Sequence, residues 1–237
     1  MADAGSSAEK TWFPSSCSFE RIGRNLARLQ QASIPFVGDL MNVGLADQRI
    51  PTLRATVAEL MPSFEEAVLF QRSAGIPQIL LWKLREIANT FDEAFGAIEE
   101  IGLPDTLVHN DLNPGNILMW EGDCVFTDWA DASVGNPFVA IDQLQIYFNQ
   151  HARLSPELPR IIHAYSREWY GGFSQKKLDT VIQSVRLLSL AAHLSSRKQR
   201  IISEYRRNPA VQSYLRSMAR QMYKVTQSEN GARALRA

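Results

Sequence analysis

The chain has 237 residues, 45% of them apolar, enough to bury one substantial core or a large lobe with a small appendage. Lysine plus arginine and aspartate plus glutamate both number 25, so the formal net charge is zero. That balance argues against a broad electrostatic attraction to nucleic acid or to an anionic membrane surface.

Residues 1–17 are small and polar and read as a tail, without the apolar stretch of a secretion signal. Phe19, Ile22, Leu26 and Leu29 then recur at helical spacing. Residues 33–50 read as loop, punctuated by Pro35, Gly38 and Gly44. Pro51 suits a helix start, followed by Leu53, Val57 and Leu60, and Pro62 is expected to break it. Ser63-x-x-Glu66 matches a capping box that restarts a helix through Phe70. Beyond Pro77, one apolar stripe runs through Leu80, Leu84, Ile87, Phe91, Phe95 and Ile98 until Gly102 and Pro104.

The period then changes. Residues 106–109 are short and β-prone, and 117–120 and 124–127 read as two strands of a hairpin around Glu121-Gly-Asp123. After Pro137 helical patterns return over 139–151, 157–170, 178–203 and 209–226, and 228–237 reads as a loose tail. The expected architecture is mainly α with a small β-hairpin, a single lobe over 18–227. No apolar run approaches the ~18 residues of a spanning helix. Cys17 and Cys124 cannot build a disulfide framework, so the cytoplasm is the expected compartment.

The chemistry concentrates between His109 and Asp128. Asn116 and Asp128 lie symmetrically about Gly122, the expected centre of the turn, so pairing of the strands brings an amide oxygen and a carboxylate together. These are hard oxygen donors suited to Mg2+. Asp111 precedes the first strand by an Asn-Pro-Gly turn that folds a second carboxylate toward the same end. Such a set suits phosphoryl transfer, in which a metal neutralises phosphate oxygens and a separate carboxylate positions a hydroxyl and accepts its proton.

His109-x-Asp111-x-x-x-x-Asn116 followed by Asp128 resembles the kinase pattern H-x-D-x-x-x-x-N…D. The Asn-Pro-Gly-Asn-Ile-Leu and Asp-Trp variants resemble the aminoglycoside phosphotransferase and choline kinase superfamily, whose usual loop is His-Gly-Asp-Leu-His-Pro-Gly-Asn. Asn110 and Asn113 depart from that loop's glycine and second histidine. Gly135-Asn-Pro137 with Asp142 is similar to the family's Gly-x-Pro-x-x-x-Asp element, and the Ile22 to Leu29 helix to the first helix of its C-terminal lobe.

The resemblance implies a protein-kinase-like C-terminal lobe that uses ATP and Mg2+ to transfer the γ-phosphate to a small-molecule hydroxyl. It implies Asp111 as catalytic base, Asn116 and Asp128 as metal and cofactor ligands, and His109 and Asp142 as the scaffold of the catalytic loop. The family's N-terminal lobe brings a phosphate-covering loop and a lysine for the α/β-phosphates. Lys10 and Lys83 are the only lysines before His109, and no Gly-x-Gly-x-x-Gly occurs. The expected partner is therefore a small-molecule substrate, and the chain is expected to be a fragment, a truncated gene product, or a lobe that borrows a separate N-terminal lobe.

Other readings stand beside this one. Without the nucleotide-gripping lobe the chain would be a non-catalytic binding or interaction module, and the same carboxylates would also serve a metal-dependent hydrolase. His151, His163 and His193 lack ligand spacing. Asp131 reads as a loop carboxylate and Trp129 as a core aromatic. The acidic pairs Glu65-Glu66, Asp92-Glu93 and Glu99-Glu100 read as solvated faces, with a docking surface for a cationic acceptor as the sharper alternative. The basic run Arg197-Lys-Gln-Arg200 lacks the aromatic interleaving of a nucleic-acid surface.

Overall fold

The structure is a computed structural model that describes residues 6–7, 17–69, 78–120, 123–150 and 154–234. Two compact units divide the chain, one of Met1–Arg49 with Ile101–Ile182, the other of Ile50–Glu100 with Gln183–Ala237.

In the first unit, strand β1 (Ser6–Ser7) is followed by helix α1 (Cys17–Ser33). Two residues of the expected tail are thus strand; the rest of 1–16 lies outside the described residues. Ile22, Leu26 and Ala27 of α1 are fully buried. They pack against helix α6, introduced below, at a distance that only glycine allows. A Cβ on Gly23 would sit 2.2 Å from the Ile161 carbonyl oxygen.

The stretch 33–50, expected as loop, instead holds a 3-10 turn (Ile34–Phe36), helix α2 (Val37–Asn42) and strand β2 (Ala46–Gln48). Gly44 ends α2 with φ 98°, a conformation that suits glycine. These elements are too short for periodicity to announce them.

Helices α3 (Ile50–Leu69) and α4 (Gln78–Glu99) belong to the second unit. The break expected at Pro62 does not occur, and α3 runs through it. Pro62 lies on the exposed face while Leu60, Met61, Phe64 and Ala67 are buried around it, so packing holds the helix across the missing hydrogen bond. Ile87, Phe91, Phe95 and Ile98 bury the α4 stripe as expected. Leu80, Leu84 and the side chain of Lys83 fall outside the described side chains.

The chain then returns to the first unit with β3 (Thr106–Val108), β4 (Ile117–Trp120), β5 (Asp123–Phe126), β6 (Ser133–Gly135), α5 (Val139–Gln150) and α6 (Leu158–Trp169). Strands β4 and β5 form the expected hairpin, with β1 on the other side of β4. A second sheet, unforeseen in the mainly helical reading, places β6 between β2, to which it is parallel, and β3, to which it is antiparallel. A Cβ on Gly135 would meet the Gln48 carbonyl oxygen at 2.7 Å, so glycine permits the β2–β6 approach.

Helix α7 (Gln175–Ser195) passes from the first unit to the second, followed by α8 (Lys198–Glu204) and α9 (Pro209–Ala234). The single helix expected over 178–203 is interrupted because the Ser196 hydroxyl donates to the carbonyls of Ala192 and His193 and Arg197 leaves helical geometry. Helix α9 continues through most of the segment read as a tail. Among the described residues no helix is long and apolar enough to cross a membrane.

Candidate active site

The loop after β3 begins with His109, 1% exposed, and both of its ring nitrogens are engaged. Nε2 lies 2.8 Å from the Thr127 carbonyl, which can only accept, so Nε2 carries the proton. Nδ1 then accepts the Asp111 N–H at 3.3 Å. The ring also packs on Trp129, whose indole N–H donates to the Phe126 carbonyl.

Asp111 is exposed at the loop tip and held by two amides. Asn113 Nδ2 reaches Asp111 Oδ1 at 3.3 Å, and Asn116 Nδ2 reaches the Asp111 carbonyl at 2.8 Å and Oδ2 at 3.2 Å. Asn113 also accepts the Gly115 N–H at 2.8 Å, which caps the 3-10 turn Pro114–Asn116. Because the Asp111 carbonyl can only accept, the Asn116 amide nitrogen must face it, and the amide oxygen is left to point elsewhere.

The hairpin register corrects the expected symmetry. Ile117 pairs with Phe126 and Trp120 with Asp123, so the register places Asn116 opposite Thr127 and not Asp128. Asn116 consequently bonds to Thr127, whose N–H donates to the Asn116 carbonyl at 2.9 Å, and Asp128 lies one residue further along. Asp128 is exposed and has φ 61°, the only positive φ outside glycine among the described residues. Aspartate tolerates this left-handed conformation at a cost of about 1–2 kcal/mol, and it persists where the surroundings fix it.

Sequence reasoning missed a side chain that reaches the far side of this turn. Asn110 Nδ2 donates to the Asp131 carbonyl at 2.8 Å and to Ser133 Oγ at 2.9 Å. Ser133 in turn donates to Gln48 Oε1 at 2.8 Å, and both Ser133 and Gln48 are buried. The only sequence signal was the asparagine itself, standing where the resembling loops carry glycine. Asp142 sits buried in the first turn of α5. The turn before it is braced by Asn136 Oδ1 accepting the Phe138 N–H, and by Gln30, which donates to the Pro137 carbonyl and accepts the Tyr165 hydroxyl.

A divalent cation would find two protein oxygens of the right kind here, the Asn116 amide oxygen and the Asp128 carboxylate. Mg2+ keeps several waters and takes one or two protein ligands beside phosphate, so this small donor set fits it. No group of three or more His, Cys, Asp or Glu that could hold a metal ion occurs among the described residues.

Each acidic pair of the second unit has a member engaged with a partner. Asp92 and Glu99 share Arg54 at 2.6 and 2.8 Å, and Glu66 bonds Tyr205 and Arg206. In the basic run, Lys198 pairs with Glu59 at 2.5 Å and Arg200 with Glu204 at 3.4 Å.

Residues 16–171 match the profile of the phosphotransferase enzyme family. A comparison with curated proteins finds no match. Among solved structures, the chain is similar to a choline/ethanolamine kinase family protein from Mesorhizobium loti, at 16% identity and a TM-score of 0.52, over 95% of this chain and 68% of that one. An ethanolamine kinase from Plasmodium vivax matches at 14% identity and a TM-score of 0.52, over 92% and 63%. A macrolide 2'-phosphotransferase from Brachybacterium faecium matches at 14% identity and a TM-score of 0.50, over 86% and 60%. At these identities the likeness carries the fold alone. The chain spans 60–68% of the length of these solved structures.

Proposed function

The chain belongs to the phosphotransferase enzyme family, and we propose that it supplies the catalytic lobe for ATP-dependent transfer of the γ-phosphate to a small-molecule hydroxyl. The observation that carries this reading is the hydrogen-bonded set of Asp111, Asn113, Asn116 and His109, which holds an exposed carboxylate at the tip of a buried loop base.

In this reading Asp111 orients the acceptor hydroxyl and takes its proton as the new O–P bond forms and the bond to the ADP oxygen breaks. Asn116 and Asp128 would hold Mg2+, which neutralises the charge on the phosphate oxygens. His109 acts as scaffold, since both ring nitrogens are committed to the backbone and neither is left for proton transfer. Asp142 is assigned to the same scaffold from its buried place on α5.

The rival reading is a lobe that binds or docks without catalysing, motivated by the absence of a Gly-x-Gly-x-x-Gly from these 237 residues. Heat denaturation of the purified chain with and without millimolar Mg2+-ATP separates the two, because a ligand that binds only the folded state raises the midpoint. The proposed function expects an upward shift that Asp128→Ala abolishes. An unchanged midpoint favours the non-catalytic module.

A further inference from the structure

Neighbouring residues of one loop grip the Asp128 turn at both ends. His109 donates to the carbonyl of Thr127, just before Asp128, and Asn110 donates to the carbonyl of Asp131, three residues after it. The Ala132 N–H, next after the second anchor, closes the turn on the Trp129 carbonyl, and Trp129 lies against His109. An amide NH2 has two hydrogens, and Asn110 has an acceptor for each, Asp131 and Ser133. The grip is itself anchored in depth, because Ser133 is 0% exposed and passes its own hydrogen to Gln48, 5% exposed. A hydrogen-bond chain of this kind, buried at its base, fixes geometry more than it adds stability.

We infer that Asn110 is a positioning residue: through Asp131 and Ser133 it sets where the Asp128 carboxylate stands relative to Asp111 and Asn116, and thereby how tightly Asp128 and Asn116 take a divalent cation. The inference rests on the reading of that pair as cation ligands. His109 alone fixes only the near side of a residue held in a left-handed conformation; the second anchor removes the remaining freedom of the turn to swing outward. Neighbours of this kind, which touch the ligand-bearing segment and not the metal, govern affinity through ligand placement.

Mn2+ serves as a paramagnetic probe for Mg2+ in a titration of the full chain followed by water-proton relaxation. Asn110→Ala and Asn110→Gly are expected to weaken Mn2+ binding about tenfold. Ser133→Ala, which leaves Asn110 one of its two acceptors, is expected to weaken it about threefold, and Asp128→Asn to abolish specific binding. Thermal midpoints measured without metal accompany each titration. Ser133→Ala keeps the question answerable if the Asn110 variants do not fold. Unaltered affinity in the Asn110 variants, with or without a lowered midpoint, while Asp128→Asn loses binding, would make the clasp merely structural and overturn the inference. Equal Mn2+ uptake by the wild-type chain and Asp128→Asn would instead overturn the cation-ligand reading and this inference with it.

Discussion

In the unit that carries Asp111 and Asp128, polar side chains join segments far apart in sequence; in the helical unit, charged side chains pair off near the surface over an apolar interior. Gln30 ties α1 to the turn before α5 and to Tyr165, and Asn110 reaches Ser133 and Gln48. By contrast, Arg54 pairs with Asp92 and Glu99, and Lys198 with Glu59, on side chains that are 30% to 67% exposed. Buried hydrogen-bond chains specify one arrangement of their segments, whereas exposed ion pairs contribute little and tolerate rearrangement. The difference teaches where chemistry can be built. Exposed carboxylates become precise only when the backbone beneath them is fixed.

The comparison is broken most forcefully at Gly23, where the first unit has no slack. Gly23→Ala places a methyl group 2.2 Å from a backbone oxygen and 2.9 Å from the Tyr165 nitrogen, so α1 and α6 must separate. Urea denaturation should register a loss of about 3 kcal/mol. A loss under about 0.5 kcal/mol would mean the helices accommodate the methyl and the unit is looser than described.

Next in size is an acid response of the second unit. Burial first, then Arg197 and Arg186, hold the His193 imidazole down to about 4 from an ordinary 6.5. The unfolded chain binds that proton at higher pH than the folded one, so the contribution of the neutral ring is whole above about pH 6.5 and is lost as pH falls toward 4. His193→Gln should flatten the decline of the unfolding midpoint across that window. An unchanged slope would place the acid sensitivity elsewhere.

The smallest effect belongs to the surface pairs. Arg54→Met should cost only about 1 kcal/mol in chemical denaturation even though it removes two ion pairs and the guanidinium over the Phe95 ring, because these groups are solvated. A loss several times larger would show that charge pairing, and not packing, holds the second unit.

Long elements were legible in the sequence because their periodicity reports burial directly. Ile22 and Leu26 of α1 and Phe91, Phe95 and Ile98 of α4 face the core as their spacing requires. The loop and hairpin were legible because Pro-Gly and Glu-Gly punctuate them, and the placement of His109, Asp111 and Asn116 followed. Three-residue strands such as β2 and β6 carry no period to read, and they came into view only through pairing between distant segments. The hairpin register was off by one because a two-residue and a three-residue turn differ little in composition, and one residue decides whether Asn116 meets Thr127 or Asp128. The Asn110 clasp was illegible for the same reason, since its partners are set by β6 and not by neighbours in sequence.

The proposed function turns on Asp111 as the group that would take the proton from the acceptor hydroxyl. The direct measurement is γ-phosphate transfer, comparing wild type with Asp111→Asn at matched nucleotide and Mg2+. Loss of a general base is expected to lower turnover by about 10²- to 10⁴-fold while circular dichroism and the thermal midpoint stay unchanged. Undiminished turnover in Asp111→Asn would contradict the account.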